Sequence, residues 1–138
     1  MSRFALPLQS ALVAALRGDT GVSNLVAGRV YDEPPDNSER PFLRVGNIEP
    51  APLRVTGGRG ERIVFSVEAY SRPASSVGRT EATRLAAAVV DVLDEKRGAL
   101  AIPGATVIDL TWSGQTVERE GDGKSYSAII VFDALIDG

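Results

Sequence analysis

Asp32, Glu33, Asp36 and Glu39 put four carboxylates within eight residues, with Pro34 and Pro35 between the two halves of the group. Paired carboxylates can divide acid and base roles, and several together can hold a magnesium or calcium ion through oxygen. A second group, Glu118, Glu120 and Asp122, falls in the run EREGDGK. The first group lacks the Asp-x-Asp-x-Asp-Gly order of a calcium loop. Its prolyl pair stiffens the backbone in an extended form, and Pro41 restricts the residue before it, Arg40, in the same way. Residues 31–39 therefore read first as an exposed connector, second as a divalent-ion site and third as a catalytic one. In the second group the Asp122-Gly123 pair is a hairpin-turn signal, which favours a solvated tip.

Other chemistries have weaker support. Gly57-Gly58-Arg59-Gly60 resembles a phosphate loop only in composition. Phosphate loops run from a strand through glycines into a helix N-terminus, whereas these glycines lead into a strand beginning at Glu61. A loop bearing Arg54 and Arg59 that orders on a partner surface is the useful variant of this reading. Ser113 lies in Trp-Ser-Gly, without the Gly-x-Ser-x-Gly elbow. The chain contains no cysteine and no histidine. That removes disulfides, thiol nucleophiles, Ser-His triads and the commonest metal ligand. The expectation is a protein that is not an enzyme and has no cofactor and no metal.

The chain has 138 residues, 43% hydrophobic and 24% charged, which suits one globular domain over 1–138. Net charge is −3, with Lys96 and Lys124 the only lysines, so wrapping nucleic acid is disfavoured. The charge is uneven: residues 31–50 carry −3, residues 51–80 carry +3 and residues 101–138 carry −4. Alternating sign suits self-association as well as an ordinary mixed surface. The N-terminal apolar run is broken by Pro7, Gln9 and Ser10, so it reads as an amphipathic helix and not as a signal peptide. No run reaches the length of a membrane span.

Elements that would position these groups follow from periodicity. Leu8, Leu12, Ala15 and Leu16 predict a helix over 4–17, and Asp19 or Thr20 caps a short helical turn within 19–28. Val30-Tyr31 begins a strand, and 41–48 is a second one. Two prolines and several glycines mark 50–60 as a long loop. Ile63, Phe65, Val67 and Ala69 alternate through 61–71, the clearest strand. A Pro-Ser-Gly turn at 73–79 leads to a helix over 80–97, with Ala82, Leu85, Ala86, Val89 and Leu93 on one stripe and Lys96-Arg97 in its last turn. Residues 105–119 and 124–136 form a hairpin, with Trp112 on a sheet face, in the core or at a subunit interface. The fold class is α+β: an antiparallel sheet with two helices against it, in the order α-β-β-β-α-β-β.

That order, together with LQSALVAALRGD, RPFLRVG, the strand RIVFSVEAYS and the closing LTWSGQTVEREGDGKSYSAIIVFDALI, resembles the phage tail-completion and tail-terminator proteins. Relatives of that kind occur in the gene-transfer-agent particles of alphaproteobacteria, and the resemblance covers nearly the whole chain. It implies a structural protein in the tail or neck of a phage-like particle, assembled in the bacterial cytoplasm. It also implies a homo-oligomeric ring, expected to be a hexamer, on the head-proximal end of the tail tube. Such a ring ends tube polymerisation and joins the tail to the head. Its partners would be other copies of the chain, the major tail tube protein and the head–tail connector or stopper protein. DNA would pass through the bore without specific binding, helped by carboxylates of the 31–39 loop or the C-terminal hairpin. The resemblance carries over no catalytic residue. Arg54, Arg59, Asp32, Glu33, Asp36, Glu39, Glu118, Glu120 and Asp122 are the candidate docking residues. Rival readings are another neck protein, such as a head-closure or stopper protein; a small carboxylate and divalent-ion enzyme; and a nucleic-acid-binding module.

Overall fold

Apolar stripes on three helices and one face of a five-stranded sheet form the core. A computed structural model describes residues 2–54, 59–73 and 78–138. The glycines at 57 and 58, and most of the expected 73–79 turn, lie outside the described residues. The chain runs α1 (Ala5–Gly18), α2 (Thr20–Val26), β1 (Val30–Tyr31), β2 (Phe42–Leu53), β3 (Gly60–Tyr70), α3 (Gly78–Leu93), a 3-10 turn (Arg97–Ala99), β4 (Thr106–Arg119) and β5 (Tyr126–Asp137). Sheet order is β1-β2-β3-β5-β4. The α+β class holds, with two refinements. The short helical turn is a full seven-residue helix, so three helices pack on the sheet. The β1–β2 pair is parallel, so the sheet is mixed.

Local chemistry accounts for the helix bounds. The Ser2 hydroxyl accepts the amide of Ala5 at 3.0 Å, and Leu8, Ala11, Leu12 and Leu16 are buried. The Asp19 carboxylate accepts the Val22 amide at 3.0 Å, capping α2, which ends at Ala27 with a left-handed φ of 52°. In α3 the stripe Ala82, Leu85, Ala86, Val89 and Leu93 is buried as its spacing requires. That helix stops at Leu93, however, and Lys96-Arg97 lie beyond it, not in its last turn. Tertiary bonds take over there. The Glu95 amide donates to the Leu110 carbonyl at 2.9 Å, and the Trp112 amide donates to the Asp94 carboxylate at 2.8 Å. These bonds, with Arg97 donating to the Ile108 carbonyl at 3.1 Å, cover part of the outer edge of β4.

The strands follow the same logic. Ile63, Phe65, Val67 and Ala69 of β3 face inward, as do Ala128, Ile130, Phe132, Ala134 and Ile136 of β5. Phe65 and Phe132 are register partners, and their rings stack with centroids 5.4 Å apart. The expected loop at 50–60 is strand as far as Leu53. From Val45 onward β2 has a neighbour only in β3, and an edge tolerates residues without an N–H such as Pro50 and Pro52. A bulge between Val45 and Ile48 frees Gly46, where a Cβ would lie 2.2 Å from the Ser66 hydroxyl. β4 is an edge strand with two bulges, and Trp112 on it has 43% of its surface exposed.

Candidate functional site

Register places the candidate residues at the two ends of the strands. Leu53 pairs with Gly60, and Gly60 with Asp137, so Arg54 and Arg59 share one end of the sheet. Both are exposed, and Arg59 lines a shallow depression with Arg3, Pro52 and Glu61. At the other end Phe42 pairs with Tyr70, and Tyr70 with Ser127. That end carries the connector into β2 and the turn between β4 and β5. Asp32, Glu33, Asp36, Glu39, Glu118 and Asp122 are exposed there, and Glu120 is half-buried.

The connector bends at Asp32 and Glu33 and turns again after its prolines. The Ser38 amide donates to the Pro35 carbonyl at 3.1 Å, with Asn37 in the left-handed region at φ 58°. Glu39 lies 3.8 Å from the Arg29 guanidinium and is 81% exposed, a loose pair. Asp32, Glu33 and Asp36 make no hydrogen bond or ion pair among the described residues. No group of three acidic side chains among the described residues is arranged to hold a metal ion.

The hairpin tip is tied down instead of projecting free. Arg40 grips Glu120 through two bonds, of 2.6 and 3.3 Å, and donates to the Ser71 carbonyl at 3.2 Å. The Arg40 guanidinium also lies over the rings of Phe42 and Tyr70, 5.7 and 5.5 Å from their centroids. Asp122 accepts bonds from the Lys124 amide, the Ser125 amide and the Ser125 hydroxyl. Those bonds, led by the Ser125 hydroxyl, hold its carboxyl down at about 2. Two of the three tip carboxylates thus have structural work within the chain.

Beside them lies a feature that linear spacing did not disclose. Arg29, Arg40, Arg72 and Arg84 line one open groove of about 390 Å³, together with Asn24, Leu25, Glu39, Pro41, Glu81 and Leu85. These arginines come from four separate stretches of the chain, so only the fold brings them together. Glu81 takes two side-chain bonds from Arg72, at 2.8 and 3.0 Å, which raises the Arg72 pKa. On the sheet's other face Tyr70 donates to Glu68 at 2.6 Å. Burial first, and that bond second, push the Tyr70 hydroxyl up to about 12. Tyr126 moves the opposite way, lowered chiefly by the Arg119 hydrogen bonds to its oxygen.

The arrangement is one of exposed charge and clasped loops. A family model described as tail completion protein gp17 matches residues 10–137. No curated protein sequence matches significantly. Among solved structures, a chain in the virion of a native gene transfer agent particle superposes with a TM-score of 0.87 at 24% identity, covering 100% of both chains. The gp17 protein of bacteriophage SPP1 gives 0.59 at 20% identity, over 96% of this chain and 91% of that one. At these identities the likeness establishes a common fold. The family model covers nearly the whole sequence, and the chain belongs to the family of tail completion protein gp17.

Proposed function

We propose that this protein completes the tail of a phage-like particle by capping the head-proximal end of the tail tube as a ring. The cap ends tube polymerisation and offers the surface on which the head connector docks. The observation that carries the reading is the family match over residues 10–137. The full-length likeness of its fold to a chain of a gene transfer agent virion supports it. So does the placement of the candidate docking residues: Arg54 and Arg59 sit at one end of the strands, and Glu118 and Asp122 at the other. A protein that joins two different neighbours needs two different ends. Arg54 and Arg59 dock on one neighbour, and the hairpin tip faces the other. DNA crosses the bore without specific contacts, in keeping with a net charge of −3.

Immunogold labelling or cryo-electron microscopy of intact particles tests this placement. Density for the chain as a ring between tube and head is expected. Density within the head-side connector instead would make it a head-closure protein, and density along the tube or at the distal tip would overturn the reading.

A further inference from the structure

We propose that the arginine-lined groove takes the acidic connector of a second copy of this chain, forming the lateral contact of the ring. The inference rests on the ring reading above and names the surfaces that build it. In the groove, Arg84 is exposed and has no carboxylate partner among the described residues. Arg72 is paired with Glu81 on one side and leaves 65% of its side chain open. Arg29 spends its Nε on the Pro41 carbonyl at 2.9 Å and holds Glu39 only loosely. Guanidinium N–H groups are therefore left facing an open space large enough for a few side chains.

The sequence supplies a matching knob. Asp32, Glu33 and Asp36 are three exposed carboxylates within five residues. The prolyl pair and the 35–38 turn stiffen the segment before it binds, so little conformational entropy is lost on docking. Arginine presents fixed N–H forks to carboxylates, which gives the contact direction as well as charge. Within one chain only Glu39, where the connector re-enters the sheet, reaches the groove. When knob and groove engage two different neighbours the contact is head-to-tail, and a head-to-tail contact closes into a ring when its rotation closes.

The absence of cysteine makes a direct test available. Particles are assembled with the double variant Asp36→Cys/Arg84→Cys and oxidised mildly. Non-reducing electrophoresis is expected to show a ladder of linked chains up to the full ring. Either single variant should give at most a tenth of that product. A double variant that links no better than the singles overturns the proposal. So does capture of Arg84→Cys by a different protein in the particle. A charge exchange provides the second measurement. Asp36→Arg or Arg84→Glu alone should lower ring occupancy on tails roughly tenfold, and the two together should restore it. Rings equally occupied in both singles also overturn the proposal. A ladder found in particles whose tail length does not depend on this protein would keep the contact and remove the capping function. A missing ladder with a ring still visible at the tail end would do the reverse.

Discussion

Single residues carry the sharpest consequences of this structure. Asp122 organises the hairpin tip by accepting three bonds, and its carboxyl sits at about 2, against an ordinary 3.8. A depressed folded pKa gives stability that is complete above the ordinary value and lost as pH falls through the folded one. Asp122→Ala should therefore lower Tm at neutral pH, with the gap between variant and parent closing as pH falls from about 4 to 2, read by thermal melts across that range. Tyr70 behaves in the opposite sense. Its hydroxyl is raised to about 12, so its contribution is present below pH 10 and lost as pH rises towards 12. Absorbance titration of phenolate should lose its late-titrating component in Tyr70→Phe and an early-titrating one in Tyr126→Phe. Packing gives a third case. A Cβ at Gly46 would meet the Ser66 hydroxyl at 2.2 Å and the Glu68 carboxylate at 2.9 Å, whereas at Gly98 nothing lies within 4 Å. Gly46→Ala should cost roughly 1–3 kcal/mol by denaturant unfolding, and Gly98→Ala far less. Leu85 is only 2% exposed, and Leu85→Asp should prevent accumulation of folded protein, at a cost above about 4 kcal/mol.

Among the elements, alternation and stripes were legible wherever one face is buried and the pattern is complete. The β3 residues Ile63 to Ala69 and the α3 stripe fell where their periods put them. Ends and edges were not legible, because distant groups set them. α3 stops at Leu93 since the amides of Glu95 and Trp112 find partners between that end and β4, which no local signal encodes. Pro50 and Pro52 read as loop, yet they sit in a strand because that stretch of β2 is an edge. The same limit applies to the candidate site. The acidic groups were visible as runs, but the partners of Glu120 and the convergence of four arginines depend on which turns meet at one end of the sheet. Arg40 is the junction there, joining the connector, the β3 exit and the hairpin tip. A double-mutant cycle on Arg40→Ala and Glu120→Ala should give a coupling of about 1 kcal/mol, with faster amide exchange confined to residues 120–125. No coupling would mean that the Arg40–Glu120 pair does not hold the tip.

For the whole molecule, the decisive feature is an α+β body with exposed candidate docking residues at both ends of its strands. Such a body gains its role from what it touches, and its family, the tail completion protein gp17 family, names a place for those contacts. Substituting Arg54 and Arg59 with glutamate should leave the fold and thermal melt unchanged while reducing ring occupancy on tails, because both side chains are exposed. If this protein ends tube growth and permits joining to the head, its loss shows in the particles, and electron microscopy of particles made without it measures both effects. Tails of uncontrolled length detached from heads are expected, restored to one length and to attachment by supplying the protein. Tails of native, uniform length joined to heads in its absence would contradict that role.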